Sequence, residues 1–203
     1  MKPLYITSGL ASGLYTMVIV VWVVSEATVL VRTIRSEGVR AHLASNRGQD
    51  RLSGPALIGF LLLAVFVGST AARGVPAAAI MEGRPVIFAF ALLLAIAGIV
   101  LRWYAIVTLG RFFSMRVQTT SDQQVVQSGP YRLVRHPSYT GLLMTVLGVL
   151  LMSTNWFTLA CYVIALPGFG YRIYVEEHAL ASELGDQYRD YMRRSKRLVP
   201  FLI

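Results

Sequence analysis

The chain has 203 residues, of which 55% are hydrophobic and only 14% are charged. This composition is too apolar for an ordinary soluble domain and predicts a single domain that is embedded in a membrane. The basic residues behind the net charge of +9 lie between apolar segments, so they indicate membrane topology and contacts with anionic lipid headgroups, and argue against nucleic acid as a partner.

Five apolar segments are candidate membrane spans, because a helix needs roughly 20 mostly apolar residues to cross a bilayer. In chain order they are about Leu10–Val31, Pro55–Ala72, Val86–Thr108, Ser138–Met152 and Trp156–Val175. Only three residues separate the last two segments, which predicts a tight helical hairpin. A polar helix over about 176–195 continues from the fifth span. Residues 1–203 are therefore predicted to form one all-α integral membrane domain with a cytosolic pocket between the loop before the fourth helix and the C-terminal helix.

The lysines and arginines are distributed unequally between the two ends of these spans. Fifteen of the nineteen lie on the side that holds the C-terminus, three lie on the other side, and Arg102 lies within the third span. The positive-inside rule then predicts an N-terminus outside the cell and a C-terminus in the cytosol. The short length and high arginine content favour a bacterial inner membrane.

The most polar stretch near the spans is GPYRLVRHPSYTG, Gly129–Gly141, at the cytosolic mouth of the fourth span. Pro130 and Pro137 stiffen it and restrain the residue before each from helical geometry. His136 and the tyrosines are therefore expected to project from a rigid loop. Irregular backbone at membrane depth is tolerated where it lines a wet cavity or is buried in protein, which favours a pocket. Composition alone supports equally an interface anchor made of tyrosines and arginines.

Several charged residues within or beside the spans are candidate site residues. Arg102 lies one or two turns from the cytosolic end of the third span, where it either snorkels to the interface or faces the interior and meets an anion. Arg172 and Glu176 share a helix face, and Glu177 is turned away from them. The alternative for these three is a snorkelling arginine beside a solvated acidic pair. Glu26, in the first span, is a candidate counterion for an arginine or ligand of a headgroup. His42 and His178 have no metal-ligand spacing with Cys161 or with each other, so no metal site is predicted.

Several segments, taken together, resemble the isoprenylcysteine carboxyl methyltransferase family, part of a larger membrane methyltransferase group that includes phospholipid N-methyltransferases. They are LGRFFSMRVQ, VVQSGPYRLVRHPSYTG, the pair EE followed by LGDQYRDYMRR, and RLVPF. They cover about Leu101–Phe201, half of the chain, and the order RHPxYxG, hairpin, EE is the specific part. The distance from RHPxYxG to EE is shorter here than in the best-known eukaryotic members, and the hairpin can absorb the difference.

The resemblance implies a cytosolic pocket that binds S-adenosylmethionine, and it implies roles for named residues. The residues expected to contact this cofactor are Gln118, Tyr131, His136, Pro137, Tyr139 and Glu176. The residues expected near the reacting centre are Arg102, Arg172 and Glu177. A carboxylate acceptor needs a cation to hold it and no general base, whereas an amine acceptor would need a base, for which Glu177 is the nearest candidate.

The predicted function is methyl transfer from S-adenosylmethionine to a lipidic or isoprenoid acceptor at the cytosolic interface. Carboxyl methylation is favoured over phospholipid N-methylation and small-thiol methylation. The sulfonium methyl carbon is a strong electrophile, so the reaction mainly needs positioning and desolvation. Two other classes stay open, an NADPH-dependent enzyme like the membrane sterol reductases and a non-catalytic membrane binding protein. The expected partners are the acceptor and membrane lipids.

Overall fold

The computed structural model describes residues 7–37, 53–80, 82–113 and 124–200. Within these ranges the chain forms helices, short 3-10 turns and two isolated bridges, with no extended strand. The α-helices are α1 (Gly9–Glu37), α2 (Ser53–Gly74), α3 (Arg84–Leu109), α4 (Pro137–Leu151), α5 (Trp156–Ala160), α6 (Tyr162–Leu184) and α7 (Asp186–Arg194). The 3-10 turns are Pro76–Ala78, Gly110–Phe112 and Gly129–Arg132.

Three helical segments of the described residues are long and apolar enough to cross a membrane, namely Gly9–Thr33, Arg84–Leu109 and Trp156–Leu184. Two shorter apolar helices, Ala56–Gly68 and Pro137–Leu151, accompany them. Large apolar side chains such as Leu62, Phe66 and Leu93 are exposed on the outer faces, as a lipid-facing surface requires. The predicted all-α, multi-pass membrane fold is therefore confirmed, and the number of five crossings stays a prediction.

The predicted fifth span, Trp156–Val175, is divided in the structure between two helices, α5 and α6. Asn155 caps α5 because its side-chain oxygen accepts hydrogen bonds from the backbone N–H groups of Phe157 and Thr158. The helix is interrupted at Cys161, and α6 then runs without a break to Leu184, through Pro167. Gly185, with a φ of 56°, separates α6 from α7. The polar C-terminal helix is thus the end of α6 followed by α7.

Helix α4 lies at the centre of the fold. Its Val149, together with Met152 directly after its last residue, packs in a buried apolar cluster with α1 and α3. It also contributes Leu142 and Val146 to a second buried cluster with α2 and α6. The helix that follows the polar GPYRLVRHPSYTG stretch is therefore packed on both sides, and its first turn is fixed relative to four other helices.

Helices α3 and α4 touch through their backbones at glycine residues. A Cβ atom at Gly141 would lie 2.6 Å from the carbonyl oxygen of Gly98 and 2.7 Å from the backbone nitrogen of Arg102. A Cβ atom at Gly148 would lie 2.6 Å from the carbonyl oxygen of Ala91. Only glycine permits such close approach, a common device of membrane helix packing. This contact places Arg102 directly beside the first turn of α4.

Candidate active site

The loop that precedes α4 is held by the C-terminal segment. The backbone N–H of Arg135 donates to the carbonyl oxygen of Lys196 at 2.7 Å, and that of His136 donates to the carbonyl oxygen of Arg197 at 3.0 Å. Val134 and Lys196 form a parallel bridge. The rigidity expected from the prolines therefore has a second source, a strand-like pairing with residues close to the end of the described chain.

Two buried tyrosines reinforce this pairing. The hydroxyl of Tyr191, on α7, donates to the carbonyl oxygen of Tyr131 at 2.7 Å. Burial raises the pKa of Tyr191 to about 12, against the lowering effects of Ser195 and Arg135, so the hydroxyl stays protonated and remains a donor at neutral pH. Burial, together with the charge of Glu176, also raises the pKa of Tyr131. Both hydroxyls are therefore neutral, and α7 is fixed to the 3-10 turn before the RHP sequence.

Glu177 joins the loop, α6 and the C-terminal segment. Its side chain is buried, with a residue exposure of 3%. Its Oε1 accepts a hydrogen bond from Nε of Arg135 at 2.9 Å and lies 3.3 Å from Nε2 of His136. Its Oε2 accepts from Nε of Arg197 at 3.0 Å. Each carboxylate oxygen is thus bonded to a cationic or imidazole nitrogen, and the orientation of the His136 ring is set by this carboxylate.

Tyr139, in the first turn of α4, forms a second junction with α6. Its hydroxyl donates to Oε2 of Glu176 at 2.6 Å and accepts from Nε of Arg172 at 3.0 Å. The ring of His136 stacks on the ring of Tyr139, with centroids 5.5 Å apart and planes 24° apart. Glu176 is the more open member, since 28% of its side chain is exposed, whereas Arg172 is buried. Arg172 and Glu176 converge on one hydroxyl, as expected for residues four apart on a helix.

Arg102 lies inside the bundle and has a carboxylate partner. Its residue exposure is 6%. Its Nε and Nη2 each donate to one oxygen of Glu26 at 2.6 Å, and its Nη1 donates to Oγ of Ser138 at 2.9 Å. The geometry therefore supports an arginine that faces the interior and meets an anion, and not one that snorkels to the interface. Ser138 connects this ion pair to the turn that holds His136 and Tyr139.

Most of the predicted site residues come together at the first turn of α4. The cluster contains His136, Pro137, Tyr139, Arg172, Glu176 and Glu177, with Arg102 joined to it through Ser138, and Tyr131 lies near enough for the charge of Glu176 to raise its pKa. Gln118 lies outside the described residues. The sequence-based selection did not include Arg135 and Arg197, although both lie in motif segments, and it left the partner of Glu26 open.

The C-terminal segment also forms an open concavity of about 290 Å³ beside the Glu177 cluster. Its lining residues are Arg135, Met192, Arg193, Arg194, Ser195, Lys196 and Arg197. Five of these seven side chains are cationic, so the concavity attracts anions. It is continuous with the site, because Arg135 contributes both to the concavity and to the contact with Glu177.

Comparisons with known proteins fit this geometry. Residues 91–182 match the model of the isoprenylcysteine carboxyl methyltransferase family. The chain is 36% identical over 116 residues to protein-S-isoprenylcysteine O-methyltransferase B of Arabidopsis thaliana, which covers 56% of this chain and 59% of that protein. It is 38% identical over 114 residues to the protein-S-isoprenylcysteine O-methyltransferase of Tribolium castaneum, covering 55% and 41%. The chain spans about half the length of the curated relatives it matches.

A solved structure is also similar. The eukaryotic intramembrane Ras methyltransferase, an isoprenylcysteine carboxyl methyltransferase, superposes with a TM-score of 0.62 at 24% identity. The superposition covers 93% of this chain and 68% of that one. The likeness therefore reaches well beyond residues 91–182 and includes the fold of nearly the whole chain.

Proposed function

We propose that the chain is a member of the isoprenylcysteine carboxyl methyltransferase family, whose model matches residues 91–182, and that it transfers a methyl group from S-adenosylmethionine to the carboxylate of a lipidic or isoprenoid acceptor, with an isoprenylcysteine as the favoured acceptor. The observation that carries the proposal is the convergence of His136, Tyr139, Arg172 and Glu176 at the first turn of α4, beside the buried Arg102. This arrangement gives a polar cofactor and an apolar acceptor a common meeting place.

The residues at the first turn of α4 fit the cofactor chemically. S-adenosylmethionine supplies an electrophilic methyl carbon on a sulfonium. The partly exposed carboxylate of Glu176 can accept hydrogen bonds from hydroxyl or ammonium groups. The cationic concavity next to Arg135 suits a carboxylate that enters from water. Tyr131, His136, Pro137 and Tyr139 would supply the walls, and Gln118 is proposed for this set from the family resemblance alone.

The acceptor side is proposed to use arginine. A carboxylate is already a nucleophile, so its attack on the methyl carbon requires no proton transfer. It needs a cation to orient it and exclusion of water, and the planar fork of a buried arginine grips a carboxylate at two points. Arg102 and Arg172 are both buried. Either can fulfil this role, and Arg102 is favoured because it enters from a long apolar helix.

The position of Glu177 favours carboxyl over amine methylation. An amine acceptor would need a base to remove a proton, and Glu177 is the residue expected for that task. Both of its oxygens are engaged by Arg135, His136 and Arg197. We therefore propose that Glu177 acts by positioning the His136 loop, and that O-methylation is the reaction.

The proposed orientation places the active site in the cytosol and the N-terminus outside. It is supported by the distribution of lysine and arginine in the sequence and by the position of the site at the charged ends of the helices. A bacterial inner membrane is proposed from the short, arginine-rich sequence alone, since the curated relatives named above are eukaryotic.

Calorimetry on the purified protein in lipid nanodiscs tests the class of enzyme. We expect S-adenosylmethionine and its demethylated product to bind and NADPH not to bind. Binding of NADPH alone would support a reductase, and binding of none of the three would support a non-catalytic protein. Labelled S-adenosylmethionine added with a total lipid extract then identifies the acceptor by mass spectrometry, and labelled phospholipid amines would contradict carboxyl methylation.

A further inference from the structure

Glu26 occupies the part of Arg102 that a carboxylate acceptor would use. The Nε and Nη2 atoms of Arg102 each bond one oxygen of Glu26 at 2.6 Å, the two-point geometry of an arginine fork with a carboxylate. Glu26 comes from α1, outside the matched residues 91–182. The remaining terminal nitrogen, Nη1, bonds Ser138. An external carboxylate can therefore take the same two-point grip only by displacing Glu26.

Contacts between α1 and α3 keep Glu26 in register with Arg102. The indole N–H of Trp103 donates to Oγ of Ser25 at 2.6 Å. The guanidinium of Arg32 lies 5.1 Å from the centroid of the Trp103 ring, within cation–π range. Ser25 and Arg32 lie on either side of Glu26 in α1, and Trp103 directly follows Arg102 in α3. The backbone of α1 is thus fixed beside Arg102. Only the side chain of Glu26 has to move for Arg102 to bind a different carboxylate.

The two partners of the ion pair differ in their freedom to move. The Arg102 side chain is 7% exposed and is tied to Ser138, whereas 28% of the Glu26 side chain is exposed. Exchange of partners therefore requires rotation of Glu26 toward the open side, with Arg102 staying in place. A buried arginine is costly without an anion, so one carboxylate or the other must be present at each stage of a catalytic cycle.

We propose that Glu26 is a specificity-determining residue that competes with the acceptor carboxylate for Arg102. This inference rests on the proposed function. In the transfer, a C–O bond forms between a carboxylate oxygen and the methyl carbon, and the C–S bond breaks with its electron pair going to sulfur. The sulfonium becomes a neutral thioether, and no proton is exchanged. The product is an uncharged ester, whose hydrogen bonds to a guanidinium are about half as strong as those of a carboxylate. Glu26 therefore yields to the anionic substrate and reclaims Arg102 from the ester.

Substitution of Glu26 by glutamine tests the competition, because glutamine keeps the size of the side chain and removes its charge. The assay uses vesicles, S-adenosylmethionine and an N-acylated S-prenylcysteine. We expect Glu26→Gln to lower the acceptor KM by about tenfold, the change expected when one charge-assisted contact of the competitor is lost. We expect kcat to fall and inhibition by the methyl ester to stay close to its wild-type strength. Glu26→Asp, with a shorter arm, should give an intermediate KM.

Glu82→Gln is the matched control, since Glu82 is an exposed carboxylate before α3, and it should leave KM unchanged. An unchanged or higher KM in Glu26→Gln, with only kcat reduced, would make Glu26 a fixed counterion and overturn the proposal. Thermal unfolding in detergent shows whether Glu26→Gln is folded. If Glu26→Gln is unfolded, the acceptor KM of Glu26→Asp tests the proposal instead. A KM equal to or above that of the wild type overturns the proposal.

Equilibrium binding separates this inference from the proposed function. The affinities of the S-prenylcysteine carboxylate and of its methyl ester are measured by calorimetry without cofactor. We expect the ratio of carboxylate to ester affinity to rise about tenfold in Glu26→Gln. If the wild-type protein methylates no carboxylate, the proposed function fails, and this ratio still decides the role of Glu26. An unchanged ratio, or binding of neither probe, overturns the competition itself.

Discussion

Adding one methyl group at Gly141 should separate α3 from α4 and move Arg102 away from the site. The new Cβ would lie 2.6 Å from the Gly98 carbonyl oxygen and 2.7 Å from the Arg102 nitrogen, whereas ordinary van der Waals contact begins at 3.4 Å. Both neighbours are backbone atoms, so relief requires a shift of a whole helix. Overpacking of this kind costs about 1–3 kcal/mol, and displacement of a catalytic group by about 1 Å can reduce turnover about a hundredfold.

Gly59→Ala is the matched control for Gly141→Ala. Gly59 lies within α2, and a Cβ atom there would have no heavy atom within 4 Å. Both substitutions gain the same helix propensity, about 1 kcal/mol, so the difference in their unfolding free energies isolates the packing contribution. We expect Gly141→Ala to be less stable than Gly59→Ala by about 1–3 kcal/mol, measured by denaturant unfolding in mixed micelles.

Methyl transfer by the same two variants completes the test. We expect Gly59→Ala to turn over like the wild-type protein and Gly141→Ala to lose up to about a hundredfold in kcat/KM. Equal stability and equal turnover of the two variants would refute the reasoning that the α3–α4 contact sets the position of Arg102.

Three further perturbations have definite expected outcomes. Glu177→Gln should destabilise the protein by about 3 kcal/mol in unfolding experiments, because it leaves the buried Arg135 without its carboxylate. Asp186→Asn, which breaks an exposed pair, should unfold like the wild type, and equal stability of both variants would remove Glu177 as an anchor. Arg102→Lys and Arg102→Ala should both lower turnover strongly. Calorimetry should find a nearly unchanged affinity of both variants for S-adenosylmethionine. Normal turnover of Arg102→Ala would show that this residue has a structural role only. Cysteines introduced at Ser128 and Ser182 should react with impermeant reagents from the cytosolic side only, and labelling from outside intact cells would contradict the orientation.

Helix positions could be predicted from sequence where hydrophobicity changes sharply. The segments Pro55–Ala72 and Val86–Thr108 correspond to α2 and α3, which start and end within a few residues of these limits. The Asn155 cap and the break at Cys161 could not be predicted, because the cap consists of hydrogen bonds to the backbone and Cys161 lies within an uninterrupted apolar run. Hydropathy reports which residues avoid water and carries no information on such local hydrogen bonds.

The sequence predicted which residues form the site better than it predicted which of them contact each other. Arg172 and Glu176 could be placed on one helix face because their spacing is local. The Arg102–Glu26 pair joins residues 76 positions apart, and Arg197 reaches Glu177 only after the chain reverses beyond α7. Such contacts depend on how helices pack, which the glycines at the α3–α4 contact determine through backbone distances that a sequence does not display.

The most direct test of the account is the chemical nature of the transferred methyl group. The protein in vesicles is given S-adenosylmethionine with a labelled methyl group and an N-acylated S-prenylcysteine, and a parallel sample receives the corresponding carboxamide. Methyl esters are cleaved by alkali, whereas methylated amines and thioethers are not. We predict alkali-labile label on the prenylcysteine and no label on the carboxamide. Alkali-stable label, equal label on both compounds, or no transfer to either would contradict carboxyl methylation at this site.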